Sequence, residues 1–187
     1  MSRNRYVGDY RLVESIDGRG RIRTDYEYIG AIYTYAGGAK DARRLLKRAL
    51  AACAAGAAAY VGALIPVSAA MRTLWVALPF AFEALPLGLT AAALVRALRA
   101  GDRLEHRHAD QLENRCPACS FFTALLAGVA LAGEGVNLIR GVGMLPGDIA
   151  FGACAALLLA VGLHNHRLWK RVKCEKTPPP ADAGTSP

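Results

Sequence analysis

Four stretches of this chain are almost free of charge. No charged side chain falls between Ala49 and Met71 or between Ile149 and Asn165, and one each falls between Thr73 and Val95 (Glu83) and between Cys116 and Ile139 (Glu134). A soluble core rarely holds four such runs. About 20 apolar residues at 1.5 Å of rise each cross the hydrocarbon layer of a bilayer. The pattern therefore predicts an all-α integral membrane protein, a four-helix transmembrane bundle over residues 49–166. Its spans are expected at about 49–67, 73–95, 117–139 and 149–163, with a loop over 96–116.

The pattern before the first span is different. From Ile22 to Tyr28, Ile22, Thr24, Tyr26 and Tyr28 alternate with Arg23, Asp25 and Glu27, a period of two in β-forming residues. Asp17-Gly18 followed by Gly20 is a turn signal between two such runs, and Gly30 marks a bulge or bend. Residues 1–38 are expected to form a small β-hairpin or three-strand meander. Residues 39–48, with KDARRLLKR, are read as a basic juxtamembrane helix. A β unit of that size cannot stand alone, so it must lean on the membrane surface, the bundle or another protein.

Within the spans, Ala, Gly56 and Gly62 suit span 1 to close packing, and a central place is expected for it. Pro79 and Pro86 should kink span 2, while Trp75 and Trp169 fit the role of interfacial anchors. Residues 167–187 form a basic and then disordered tail, the disorder expected from Thr177 onward.

Charge orients the bundle. Residues 1–48 carry 11 Lys and Arg, residues 96–115 carry five and residues 164–187 carry five, against a single Arg72 and a single Arg140 in the two opposite turns. Positive charge stays inside, so both termini and the middle loop are expected to be cytoplasmic. The first 48 residues hold no apolar leader, so the first span is expected to direct insertion. The net charge of +8 is explained by flanks facing an anionic inner leaflet. No recognition motif accompanies it, so nucleic acid is not an expected partner. With 53% hydrophobic residues and a mean hydropathy of +0.22, a disordered chain, a disulfide scaffold and a typical soluble enzyme are excluded.

Three groups of residues carry candidate chemistry. Glu83 falls near the midplane, where an ionisable group is costly and marks a functional hypothesis, a site for a proton or cation; a neutral Glu hydrogen-bonded to a neighbouring helix is the plainer alternative. Glu134 and Asn137, spaced i, i+3, share a face near the outer end of span 3. They read either as a lock with Arg72 and Arg140 or as a vestibule leading to Glu83. His106, His108, Cys116 and Cys119 supply two imidazoles and two thiols, the donor set of a tetrahedral zinc site, and Cys116-Pro117-Ala118-Cys119 opens a helix as a redox pair would. Inert juxtamembrane residues are the alternative, and no cofactor is otherwise expected.

The N-terminal YEYIGAIYTY, the basic RRLLKR and the second span RTLWVALPFAFEALPLG together resemble an uncharacterised group of small four-span bacterial inner-membrane proteins. The resemblance implies the fold and a bacterial cytoplasmic membrane, and no activity. Function is read from the residues. Six of the seven tyrosines, Tyr6, Tyr10, Tyr26, Tyr28, Tyr33 and Tyr35, crowd a segment too small to bury them. They point to a non-catalytic accessory or scaffold protein that presents the β unit to a protein partner. The alternatives are a small oligomeric transporter, or transporter subunit, working through Glu83, and a zinc or thiol site at the cytoplasmic face.

Overall fold

The computed structural model describes residues 7–16, 21–65, 68–141 and 146–177. Tyr6, the turn at Asp17-Gly18 and the tail from residue 178 lie outside them. Four long helices carry the fold: α1 (Ala39–Leu64), α2 (Leu74–Ala100), α3 (His106–Ile139) and α4 (Pro146–Trp169). Each is long and apolar enough to cross a bilayer, so this is the build of a small four-span integral membrane protein.

The helices outrun the apolar stretches. α1 begins directly after Gly38, whose φ of +86° suits glycine, and carries the basic run and the span in one piece. α3 takes in most of the expected 96–116 loop, leaving a short connection after Gly101, where φ is +78°. The backbone ladder is indifferent to hydropathy and continues through charged residues until a glycine or a turn stops it.

Each helix packs on its sequence neighbours, and α1 closes the ring against α4. The buried line of α1 is Ala42, Leu46, Ala49, Cys53, Gly56, Ala59 and Ala63, recurring every third or fourth residue. Those small side chains let neighbours approach, yet α1 is not central. Its apolar window is 28% buried, against 39% for α4, because alanine covers little. Gly162 of α4 lies so close to α3 that a Cβ there would fall 2.5 Å from the Ala124 backbone nitrogen.

Large apolar side chains point outward, among them Leu78, Phe82, Leu85, Leu89, Phe121, Phe122 and Leu157, whereas Glu83, Thr90, Ser120, Thr123, Glu134, Asn137 and Asn165 are buried. Large-out and small-or-polar-in is the arrangement a helix bundle adopts in lipid, where burial of apolar surface gives no drive between helices. Trp75 is exposed, with the Arg140 guanidinium 5.8 Å from its ring centre. Trp169 is not an interfacial anchor. It is buried and donates from Nε1 to Ser120 Oγ at 3.0 Å, since a Trp turned into a bundle needs an acceptor for its N–H.

The β structure is divided. β1 (Tyr10–Ile16) and β2 (Ile22–Tyr28) form an antiparallel hairpin with Tyr10 opposite Tyr28, Leu12 opposite Tyr26 and Ile16 opposite Ile22. β3 (Ile32–Tyr35) does not extend it into a meander. It lies between β4 (Leu104–Glu105) and β5 (Cys174–Lys176), antiparallel to both. The chain bends at Gly30, where a Cβ would meet the Tyr28 hydroxyl at 2.7 Å and Asp9 Cβ at 2.8 Å. That bend carries β3 away from β2 and onto the bundle. Three distant parts of the sequence therefore meet at one end, called the basic end below for the Lys and Arg around it.

Candidate functional site

Glu83 is 0% exposed, and neither carboxyl oxygen has a hydrogen-bond partner. It sits on α2 between two packed layers. On one side Phe80 stacks on Tyr60 of α1 at 4.8 Å and meets Phe151 of α4 at 5.2 Å. On the other side Leu87 approaches Gly56 of α1, which also faces Val161 and Leu158 of α4. The expected hydrogen bond to a neighbouring helix is not made. Pro86 removes the amide that would have bonded the Phe82 carbonyl, one residue from Glu83. Thr90 Oγ1 donates to the Pro86 carbonyl at 2.8 Å. The carboxyl thus stands between an aromatic and an aliphatic layer, where a neutral group is far less costly than an anion.

Glu134 and Asn137 are both buried at the end of the bundle away from the β structure. The lock with Arg72 and Arg140 is not formed. Glu134 Oε2 has no hydrogen-bond partner, and Arg140 lies over Trp75 instead, where the exposed ring offers a face without desolvating the guanidinium. Asn137 Nδ2 donates to Thr73 Oγ1 at 3.2 Å, tying α3 to the start of α2. Asp148 of α4, not among the candidate residues above, joins this cluster: its Oδ1 accepts from Ser68 Oγ at 2.7 Å and from the Ala69 amide at 2.8 Å. Its signal was a carboxylate in the first turn of a helix, next to a short polar turn.

At the basic end, His106, His108, Cys116 and Cys119 are placed along α3 without converging. His106 Nδ1 lies 3.1 Å from Asp9 Oδ2, and the His106 ring stacks on Tyr33. His108 has a buried Nδ1 without a partner, Cys116 is in the core, and Cys119 is half-buried. Residues two apart on a helix do not share a face, which separates the two imidazoles. Among the described residues, no three His, Cys, Asp or Glu side chains are grouped to hold a metal ion.

Four of the tyrosines pack within the chain. The Tyr10 hydroxyl donates to Glu105 Oε2 at 2.6 Å, and the Tyr28 hydroxyl donates to the Ala31 carbonyl at 2.8 Å while accepting from the His106 amide at 2.8 Å. Tyr10 and Tyr28 also meet edge to face at 5.3 Å. Tyr33 is on His106, and Tyr35 is buried against the bundle. The Glu105 carboxylate as acceptor, with burial and its charge adding to it, pushes the Tyr10 phenol up to about 12, and burial does the same for Tyr35. Burial also raises Tyr28.

Tyr26 is the exception, 73% exposed on the face it shares with Leu12 (54%) and Ile22 (71%). Arg11, Val13, Asp25 and Glu27 lie on the opposite, mainly charged face of the hairpin. Leu12, Ile22 and Tyr26 are thus left exposed, while the base of the hairpin is fixed to residues 104–106.

No family model, no curated protein and no solved structure matches this chain. The likeness to small four-span membrane proteins accordingly rests on the build, four long apolar helices with a small antiparallel β structure.

Proposed function

We propose that the chain is a non-catalytic membrane adaptor of a bacterial cytoplasmic membrane, with both termini cytoplasmic, that presents the β1–β2 hairpin to a protein partner. The observation that carries the reading is the largely apolar face of Leu12, Ile22 and Tyr26, interrupted by the Glu14–Thr24 pair and exposed on a two-stranded hairpin whose base is held to the bundle by Tyr10, Tyr28 and Asp9. An exposed apolar face on an anchored strand pair is a docking surface, since isolated hairpins of this size gain stability by acquiring a third strand or a covering face. The fitting partner is an extended segment with apolar residues at alternate positions, adding to an edge of the hairpin. Among the described residues both outer edges of this two-stranded sheet are unpaired.

The test replaces Leu12, Ile22 and Tyr26 with Ser in the full chain and compares the proteins that co-purify from native membranes. Loss of one stoichiometric partner, with the bundle's thermal unfolding unchanged, is the expected result. An identical partner set would remove the reading.

A second reading is favoured by Glu83. A carboxyl without a hydrogen-bond partner in the interior of a membrane bundle fits a small transporter, or transporter subunit, that binds and releases a proton or cation there. Four spans leave little room for a pathway within one copy, so this reading expects an oligomer. Glu83→Gln should abolish proton-coupled flux in reconstituted vesicles, and flux equal to wild type would dismiss it.

A further inference from the structure

A second surface at the basic end serves neither reading. Between α2 and α3 lies a cleft of 170 Å³, with Arg96 of α2 and Arg107 and Arg115 of α3 on its walls. No carboxylate lines it. The acids of the neighbouring segment are engaged elsewhere: Glu105 accepts from Tyr10, Asp110 from Asn114 Nδ2 at 2.7 Å, and Glu113 from the Cys174 amide at 2.7 Å. Among the described residues no ion pair joins the three arginines to an acid. Three guanidinium groups around a small concavity without a counter-ion are a site for an anion with several oxygens, above all a phosphate.

Two further features define the ligand. Gln111 lies between Arg107 and Arg115 at four-residue steps on α3, lines the cleft, is 7% exposed, and has no partner for Oε1. An acceptor among donors calls for a ligand that brings a hydroxyl besides its phosphate. The backbone here is a π turn over Gln111–Arg115, an irregularity that gathers at functional sites. Leu89, exposed on the lipid side of α2, forms the other end of the lining, about 10 Å below Arg96 along the helix. The cleft therefore runs from the charged end of a span into its apolar belt. Its volume is below the roughly 300–1,000 Å³ that encloses a drug-sized ligand, which suits a headgroup whose tails remain outside.

We infer that this cleft seats the headgroup of an anionic phospholipid, its phosphate among Arg96, Arg107 and Arg115 and a headgroup hydroxyl on Gln111. Phosphatidylglycerol has both parts. A bound lipid of this kind would fix the α2–α3 junction at the level of β4 and so the base on which the hairpin stands.

Native mass spectrometry of the full chain with defined lipids tests the inference. One phosphatidylglycerol per chain should be retained, about tenfold more strongly than phosphatidylcholine, and Arg107→Gln or Arg115→Gln should each remove most of that preference. Both arginines are exposed, so the fold is retained. Phosphatidylmethanol, with the same charge and no headgroup hydroxyl, should be held about fivefold less well than phosphatidylglycerol, a gap that Gln111→Leu closes without changing charge. Equal retention of phosphatidylglycerol and phosphatidylcholine, or retention unaffected by the arginine variants, would overturn the site. Displacement of the lipid by inorganic phosphate would overturn the lipid assignment in favour of a soluble anion. A gap that persists in Gln111→Leu would overturn the role of Gln111.

Discussion

The hydroxyl of Tyr10 donates a 2.6 Å hydrogen bond to Glu105 Oε2, a residue 95 positions away in the connection between α2 and α3. With the His106 amide on Tyr28 and Asp9 beside the His106 ring, it makes the base of the hairpin part of the bundle. Tyr10→Phe keeps the edge-to-face contact with Tyr28 and removes this bond alone. A hydrogen bond to a charged acceptor contributes about 1.5–3 kcal/mol, and partial exposure reduces this one to about 1 kcal/mol. Amide exchange across β1 and β2 should quicken about fivefold in the variant, with exchange in the four helices unchanged. Unchanged exchange in the hairpin would show that the bond does not anchor it.

Alkaline pH should release the same joint. The Tyr10 phenol, which donates to Glu105 in that joint, is pushed up to about 12 in the folded protein, against an ordinary value of 10.0. The folded state therefore holds this proton more tightly. Its contribution is complete below pH 10 and is lost as the pH rises through 12. A spin label on the hairpin should stay immobile up to about pH 10 and become mobile by about pH 12. Release already near neutral pH would contradict the phenol joint.

Contact between α3 and α4 depends on Gly162. A Cβ at that position would lie 2.5 Å from Ala124 N and 2.9 Å from Ala124 Cα, and a helix backbone cannot yield as a side chain does. Gly162→Ala should cost about 1–3 kcal/mol and lower the thermal midpoint in detergent. Gly128→Ala is the matched control, its nearest neighbour being Leu159 Cδ1 at 3.8 Å. It should be neutral or slightly stabilising, since alanine is the better helix former. Equal midpoints for the two variants would refute the close crossing.

Glu83 makes a prediction of opposite sign. Burying a polar group without a partner costs about 1–3 kcal/mol by mutational measures. Glu83→Leu should therefore raise the stability of the bundle by about that amount. A fall in stability on this substitution would mean that the carboxyl has a partner from outside the chain, a cation or a second copy.

How much of this was legible in the sequence differs from part to part, and the reason is range. The four helices follow from uncharged runs of membrane length, a signal within each segment. The hairpin follows from the alternation around Tyr26, equally local. β3 finds its partners in Leu104–Glu105 and Cys174–Lys176, strands of two and three residues with no period to read. The support of the tyrosines is long-range for the same reason: of the supports open to a segment too small to bury Tyr10, Tyr28, Tyr33 and Tyr35, it is the bundle and residues 104–106 that supply it. Glu134 was expected to pair with an arginine because all stood at one level. Level says nothing about direction, and Arg140 turns to Trp75. Asp148 and Asn165 stand at the edges of apolar runs, where a single polar residue resembles an ordinary flank until its neighbours are known, and Gln111 stands in a charged segment where nothing sets it apart.

The claim that the outer half of the hairpin is a docking face is tested most directly by placing a photo-cross-linking amino acid at Tyr26 of the full chain in native membranes. A cross-link to one protein partner is expected, lost when Leu12 and Ile22 are both changed to Ser and absent when the cross-linker is placed at the buried Tyr35. Cross-linking to lipid alone, or to a diffuse set of proteins that the Leu12 and Ile22 changes leave intact, would contradict it.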